Sequence, residues 1–349
     1  MELIIGGLKR DWLPIAIMGI FAVSVNLIRT IYDLPIISYN SFLTNTILVA
    51  SGIFICGVFW IGHMLVRDRP DRPLAYLYTS PNVQAMMRNL VKSLLLILLV
   101  CLFLPSFGLL KSLVGFLQPY EWDPLFIQWD RMIHGRDAWL LIQPLVGYPL
   151  VTYIFAIAYQ VWILLLYIAF PLVCVWRGNH LLRRQMIVSF LMSWIIIGVF
   201  MANWLASVGP CFLEVMIGDP RFHEQMAYLT NVDKLYPLFV LDVQRELLES
   251  YLAGNHGLGR GISAMPSMHV SIAFLFAIFS WQISRGFGLL AGVYCALILV
   301  GSVHLGYHYA VDGYVAIFAT WAIWWGSGWI VKRSSGCSST QNANIGRKC

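Results

Sequence analysis

The stretch AMPSMHVSIAFLFAIFSWQI, residues 264–283, combines a long apolar segment with a polar beginning. Its larger part is apolar and carries no Asp, Glu, Lys or Arg, which is typical of a helix inside a membrane. Its beginning holds Pro266, Ser267 and His269, and a proline followed by a serine suits the first turn of a helix. A titratable group at the edge of an apolar segment is costly unless it is paired or used. The stretch therefore predicts a membrane helix that begins at a functional site.

The composition of the whole chain agrees with a membrane protein. Of the 349 residues, 59% are hydrophobic and 11% are charged, whereas a soluble domain is about a quarter charged. So few charges cannot cover a globule with a polar surface, and we expect an all-α integral membrane protein. The net charge of +6 does not indicate nucleic-acid binding, because no dense Lys/Arg stripe with interleaved aromatics occurs. No CxxC motif occurs either, so neither a zinc site nor a dithiol is indicated.

About eight apolar runs are long enough to cross roughly 30 Å of hydrocarbon as helices. The first run lacks a small-x-small cleavage site, so we expect a retained helix rather than a signal peptide. The last six runs, within residues 93–333, follow two N-terminal runs and a basic loop, residues 1–92. The polar tail, residues 334–349, is expected to be disordered. We place the runs near residues 13–32, 43–66, 93–115, 150–176, 186–207, 266–283, 287–306 and 312–331.

The distribution of basic residues predicts the orientation of these spans. With the N-terminus inside, most of the 23 Lys and Arg residues fall in inner segments, as the positive-inside rule requires. This arrangement places the N-terminal edge of the span at 266–283 on the outer side. We therefore expect a multi-pass protein of a bacterial inner membrane, with its site on the periplasmic face.

A second polar segment, SVHLGYHYAVD at residues 302–312, adds a histidine and a carboxylate. His308 and Asp312 lie four residues apart, so one helical turn brings them together and the carboxylate can accept a proton from one imidazole nitrogen. The other nitrogen is then free to act as a nucleophile. His269 can exchange protons with a leaving group, and the helix N-terminus beside it suits an anion. Together the two segments predict a phosphate-handling site at a membrane surface.

These segments resemble two signature motifs of the type 2 phosphatidic acid phosphatase superfamily. Residues 266–269 match Pro-Ser-x-His, and His308 and Asp312 match the His-x3-Asp part of the motif Ser-Arg-x5-His-x3-Asp. Ser302 and Val303 stand for its Ser-Arg pair, with valine in place of arginine and four residues rather than five before His308. The family's Lys-x6-Arg-Pro motif is not found, and residues 207–210, Ser-Val-Gly-Pro, occupy its expected place. The sequences around the two histidines, residues 262–266 and 305–309, are similar to the branch that includes inositol phosphorylceramide synthases. Residues 122–135 also resemble that branch.

The resemblance implies that residues 93–333 form a six-helix catalytic core, to which residues 1–92 add two helices, and it implies a mechanism. His308 would attack phosphorus, Asp312 would orient it, and His269 would protonate the leaving group and then deprotonate water or an alcohol, with no metal or other cofactor. The implied substrate is a lipid-linked phosphoester whose phospho-headgroup, similar to inositol phosphate, passes to a lipid or alcohol acceptor. The alternative is a phosphatase of lipid phosphates or polyprenyl pyrophosphates, and a more distant one is a non-enzymatic transporter or scaffold.

The groups that bind the phosphate are less clear from the sequence. Because the usual lysine and arginines are absent, Arg260 is the first candidate cation, with Arg131 and Arg245 as alternatives. Ser267 either donates to the phosphate or caps its helix. Asp123 and Asp130 either contact the substrate or form a loop ion pair or cap. Three other histidines are expected to be structural or solvated, namely His304, His134 and His256.

Overall fold

The computed structural model describes residues 2–36, 39–254 and 261–345, with side chains as far as residue 334. Throughout these ranges the regular structure is helical, and no strand occurs in them, which confirms the predicted all-α fold. A π-helix, Ile196–Met201, and a 3-10 helix, Pro220–Phe222, interrupt the α-helices. The α-helices are α1 (Glu2–Arg10), α2 (Trp12–Ile31), α3 (Tyr39–Asp68), α4 (Pro73–Thr79), α5 (Pro81–Lys111), α6 (Asp123–His134), α7 (Ala138–Val146), α8 (Pro149–Val175), α9 (His180–Ile195), α10 (Ala202–Trp204), α11 (Pro210–Ile217), α12 (His223–Asp233), α13 (Phe239–Leu252), α14 (Met268–Ile283), α15 (Arg285–His304) and α16 (Ala310–Ile345).

Within the described part of the chain, seven helical stretches are long and apolar enough to cross a membrane. They confirm a multi-pass membrane protein and correspond to seven of the eight predicted runs. The run predicted at 266–283 forms α14, which has 16 residues and is shorter than the other seven. It is shorter because Pro266 and Ser267 precede the helix, and Ser267 caps it by accepting a hydrogen bond from the Val270 N–H.

Two helices extend beyond their predicted ends. α5 begins at Pro81 rather than near residue 93, because hydropathy marks only the apolar part of a helix and misses its more polar first three turns. α16 continues to Ile345 and so includes the beginning of the tail for which we expected no regular structure. No proline occurs between residues 310 and 345, and extending an existing helix is far easier than nucleating one.

The chain forms two compact units. One comprises Met1–Ser106, Ile163–Val188 and Ile330–Cys349, and the other comprises Phe107–Trp162 and Ser189–Trp329. The family resemblance predicts other boundaries, at residues 92 and 333. These boundaries rest on sequence similarity rather than on contacts between residues, and they stay a prediction.

The first unit contains a buried ion pair. Asp11 and Arg183 are almost fully buried, and the Arg183 Nη1 lies 2.7 Å from the Asp11 Oδ1. The same guanidinium donates from Nε to the Cys174 carbonyl at 2.9 Å, and Arg10 also pairs with Asp11 at 2.8 Å. A buried charge with so many partners is well satisfied, and it fixes the start of α2 against α9.

The second unit contains the candidate site at one end of α14, α15 and α16. α14 and α15 form a hairpin through Ser284, whose side chain accepts the Phe287 N–H at 3.2 Å. α14 and α16 are joined by a buried hydrogen bond of 2.6 Å between the Ser271 and Thr320 hydroxyls. The N-termini of α14 and α16 and the C-terminus of α15 consequently meet, and these are the ends that carry the two motif segments.

Candidate active site

His308 and Asp312 form the buried pair that their spacing predicts. The His308 Nδ1 lies 3.2 Å from the Asp312 Oδ2, and the Tyr309 N–H donates to the same oxygen at 3.0 Å. His308 is 6% exposed and Asp312 is fully buried. An Nδ1–H that donates to the carboxylate leaves the lone pair on Nε2, which is the tautomer a nucleophile requires.

A tight turn between α15 and α16 presents His308. The N–H groups of Tyr307 and His308 both donate to the Ser302 carbonyl at 3.1 Å, which closes the end of α15. Gly306 has a φ of +75°, the left-handed conformation that ends many helices and favours glycine. Helix termination thus sets the position of the histidine.

Asp130 caps the helix that carries Asp312. Its two carboxylate oxygens accept the backbone N–H groups of Ala310, at 3.2 Å, and Val311, at 2.9 Å, which are the first two residues of α16. Burial raises the pKa of the Asp130 carboxyl, and these two hydrogen bonds oppose the shift. Of the two roles left open by the sequence, the structure gives Asp130 the cap.

Asp123 holds a different pair of segments together. Its oxygens accept the N–H groups of Val208, at 2.9 Å, and Gly209, at 3.0 Å, and the Tyr309 hydroxyl, at 2.8 Å. Burial raises the pKa of Asp123 too, against the opposing effect of its hydrogen-bond donors. Asp123 therefore acts as a buried clamp between the 207–210 segment and the residue that follows His308.

The segment at 207–210 runs alongside the residues that precede α14. The Ser207 carbonyl accepts the Ala264 N–H at 3.0 Å, and the Ser207 hydroxyl accepts the Met265 N–H at 3.1 Å. Gly209 has a φ of +81°, and a Cβ built on it would lie 2.7 Å from the Tyr307 carbonyl. The place expected for the family's missing motif is thus part of the site, where it supplies backbone contacts.

His269 lies in an aromatic box and faces His308. Its ring stacks on Tyr159 at a centroid distance of 4.4 Å and lies 4.3 Å from Trp162. The His269 and His308 ring centroids are 6.5 Å apart at an angle of 61°, so one bound group can contact both imidazoles. Tyr159 also stacks on Tyr307 at 5.1 Å. No local sequence pattern marks Tyr159 and Trp162 as site residues, because they lie in the middle of an apolar run.

Ser267 is fully buried beside these residues. Its N–H donates to the Asp312 carbonyl at 3.2 Å, and its hydroxyl oxygen accepts the Val270 N–H at 3.4 Å. The capping role is therefore present. Because the hydroxyl acts as an acceptor in this bond, its own proton can still be donated, and the phosphate contact stays a prediction.

Of the three arginines expected to bind phosphate, the two that the structure describes each lie beside a carboxylate outside the motif segments. The Arg131 Nε lies 3.8 Å from Asp137, and Arg245 pairs with Asp242 at 3.2 Å on the surface. Arg260 lies outside the described residues. Lys111, at the end of α5, is instead close enough to His269 for an electrostatic interaction. The sequence prediction missed it because the apolar run was taken to extend to residue 115, although a lone charge near the end of a span is itself a signal.

The other histidines have mainly structural partners. His304 is buried, and its Nε2 lies 2.9 Å from the Thr152 hydroxyl, as expected for a structural residue. His134 was expected to be solvated, but its ring nitrogens lie 2.7 Å from the Asp130 carbonyl and 2.9 Å from the Tyr314 hydroxyl. It differs from the prediction because it closes α6 rather than lying in a loop. His256 lies outside the described residues.

Comparison with known proteins supports the motif assignment. A family model described as the PAP2 superfamily matches residues 124–326, more than half of the chain. The matched region includes Ser267, His269, His308 and Asp312, whereas Lys111 and Asp123 precede it. Neither a curated protein nor a solved structure matches the chain significantly.

Proposed function

Because the chain belongs to the PAP2 superfamily of membrane phosphatases and phosphotransferases, we propose that it cleaves a lipid-linked phosphoester through a phosphohistidine at His308. The proposal is carried by the buried His308–Asp312 pair, together with the ring of His269, whose centroid lies 6.5 Å from that of His308. A two-step transfer needs a nucleophile that is held by a carboxylate and a second titratable group within reach of the same ligand.

The first step forms the covalent intermediate. The lone pair on the His308 Nε2 attacks phosphorus while the Nδ1–H remains bonded to Asp312. The phosphorus–oxygen bond to the leaving group breaks, its electron pair stays on the departing oxygen, and protonated His269 supplies a proton to that oxygen. Asp312 stabilises the positive charge that develops on the His308 ring.

The second step releases the phosphoryl or phospho-headgroup. Neutral His269 removes a proton from water or from an alcohol, whose oxygen attacks phosphorus. The nitrogen–phosphorus bond then breaks and its electron pair returns to the Nε2, which restores both histidines. Backbone N–H groups at the start of α14 and the Ser267 hydroxyl are suited to the charge on the transferring group.

Transfer to an alcohol is the outcome we propose. Two sequence features favour a phospho-headgroup transferase: Val303 replaces the family's arginine, and the motif segments resemble those of the synthase branch. The transferred group would be similar to inositol phosphate. The burial of His308 and the aromatic surroundings of His269 also favour transfer, because a site that excludes bulk water protects a reactive intermediate from hydrolysis. We further propose that the site faces the periplasm, in keeping with the distribution of basic residues.

The test uses purified protein in detergent with labelled phosphatidylinositol and a lipid alcohol, and with phosphatidic acid or a polyprenyl pyrophosphate in parallel. We expect the wild-type protein to place labelled headgroup on the acceptor lipid and His308→Ala to form no such product. His223→Ala, a change at an exposed histidine, is the matched control and should keep wild-type turnover. Release of free phosphate alone would contradict transfer and support the phosphatase.

A further inference from the structure

The joint between α12 and α13 carries an exposed apolar surface. Leu235 and Phe239 are 68% and 57% exposed, and Tyr236 between them is exposed as well. Leu238 is almost fully buried, so it anchors the segment while its neighbours point outward. Large apolar side chains gathered on one short segment indicate a surface that contacts something apolar. Residues 235–239 are called the apolar joint below.

The backbone of the apolar joint is suited to a site with little water. The N–H groups of residues 235 and 236 both donate to the Val232 carbonyl, at 2.9 and 2.8 Å. The Leu238 N–H donates to the Asp233 carboxylate at 2.6 Å, and Pro237 has no N–H. A backbone donor that is already paired can leave water at little cost, whereas an unpaired one cannot. These four positions can therefore enter the boundary region of a lipid bilayer.

Tyr236 places the apolar joint against a membrane helix. Its ring stacks on Tyr153 at a centroid distance of 5.5 Å and an angle of 28°. Tyr153 lies about 6 Å along α8 from Pro149, where this helix begins, and α8 is long and apolar enough to cross a membrane. Leu150 and Ile154, on either side of Tyr153, are exposed. The apolar joint thus continues the lipid-facing surface of α8 at a depth where tyrosines are enriched.

The helices on either side of the apolar joint hold the end of α15. The last carbonyls of a helix have no partner within it, and side chains from α12 and α13 bind them here. Gln225 of α12 donates from Nε2 to the Val303 carbonyl at 2.7 Å and to the His304 carbonyl at 3.1 Å. Gln244 of α13 donates from Nε2 to the Leu305 carbonyl at 3.0 Å. The position of α15 therefore depends on how α12 and α13 are held.

A fourth hydrogen bond reaches the turn that presents the nucleophile candidate. The Tyr307 hydroxyl donates to the Val240 carbonyl at 2.9 Å. Val240 directly follows Phe239 of the apolar joint, and Tyr307 directly precedes His308. A displacement of the apolar joint consequently acts on the turn through one residue on each side of this bond.

We propose that the apolar joint inserts into the boundary between headgroups and acyl chains of the leaflet that surrounds the beginning of α8, and that this contact holds the turn before His308 in place. A phospholipid leaflet is the occupant because the apolar joint continues the lipid-facing surface of α8, and because the exposed Lys234 beside it can reach the headgroup phosphates. The membrane contact goes beyond the proposed function, whereas its effect on turnover rests on that function.

The first experiment locates the contact in the unaltered protein. The full chain is reconstituted into vesicles of phosphatidylethanolamine and phosphatidylglycerol that contain a phospholipid with a photoreactive diazirine close to its headgroup. After irradiation, trypsin cleaves after Arg221, Lys234 and Arg245, which separates residues 222–234 from residues 235–245. We expect severalfold more lipid label on residues 235–245 than on residues 222–234, as measured by mass spectrometry.

The second experiment tests the link to the turn with variants in the same vesicles. Glutamate at both Leu235 and Phe239 should lower the labelling about tenfold or more and lower turnover with it, because two large apolar side chains lose their burial. Ala227→Glu is the matched control, since Ala227 is exposed on α12 on the same face as Glu224, and it should behave as wild type. Gln244→Met should keep the label and still lower turnover, because it removes only the bond to α15.

The outcomes separate this proposal from the proposed function. Absence of label from residues 235–245 of the wild type, whether the apolar joint lies in water or is covered by a second copy of the chain, overturns the membrane contact. Loss of label without loss of turnover in the double glutamate variant overturns the link to the turn. Wild-type turnover by His308→Ala overturns the function and leaves the labelling result standing. If the double variant is not monodisperse, Phe239→Asn alone is compared, with the same expected direction.

Discussion

The Asp123 carboxylate accepts the hydroxyl proton of Tyr309 at 2.8 Å, across 186 positions of the sequence. Tyr309 follows the nucleophile candidate His308, and its own N–H donates to Asp312. One residue thus connects α6, the turn that presents His308 and the carboxylate that orients it. The geometry of the site therefore depends on groups that do not contact the phosphate.

Replacing Asp123 with asparagine should weaken this connection. An amide has one acceptor oxygen, so it cannot accept all three donors that the carboxylate serves, and a buried donor is left unpaired. We expect Asp123→Asn to lower the free energy of unfolding by about 2 kcal/mol. Thermal unfolding in detergent measures it, with the exposed Asp242→Asn expected to stay within about 0.5 kcal/mol of wild type. Equal stability of the two variants would contradict a clamp.

Asp130 should impose a pH dependence on stability. Burial raises its pKa in the folded state above the unfolded value, so its contribution is fully present below about pH 4 and is lost as the pH rises through the raised pKa. His134 and Asp137 are the nearby titratable groups. We expect the unfolding temperature of the wild type to fall more steeply than that of Asp130→Asn as the pH rises from about 4. Parallel curves over that interval would show that the buried carboxyl is not perturbed.

Two glycines with nearly the same backbone conformation provide a matched pair. Gly209 has a φ of +81° and faces the Tyr307 carbonyl, whereas Gly218 has a φ of +84° with nothing within 4 Å. Gly218→Ala should cost only the left-handed strain, about 1–2 kcal/mol. Gly209→Ala adds a collision at the turn before His308, so it should cost about 1–3 kcal/mol more and abolish turnover. Equal unfolding temperatures for the two variants would rule out the close approach at Gly209.

Trp162 should act through the orientation of His269. Its ring lies 4.3 Å from the imidazole, and an aromatic contact of this kind contributes about 0.5–1.5 kcal/mol. We expect Trp162→Leu to lower kcat by up to about tenfold while KM changes little, because the lost contact positions a proton donor rather than the substrate. The control is Trp204→Leu, at a tryptophan that is 72% exposed. A change confined to KM would instead place Trp162 in substrate binding.

The features that could be predicted from the sequence are local. The i,i+4 spacing of His308 and Asp312 and the Pro-Ser cap before His269 are each contained within a few residues, and the structure has both. The roles of Asp123 and Asp130 could not be decided, because their partners are backbone N–H groups far away in the sequence. Lys111 was missed for a different reason: the predicted span extends to residue 115 and absorbs this charge, although a charge near the end of a span is a local signal.

Trapping the phosphoryl group on His308 tests whether this residue is the nucleophile. Protein incubated with a substrate labelled at phosphorus is denatured in alkali, which preserves a phosphorus–nitrogen bond, and the labelled peptide is identified by mass spectrometry. We expect an acid-labile label on the peptide that contains His308, and none in His308→Ala. Label on another residue, or full turnover by His308→Ala, would contradict it.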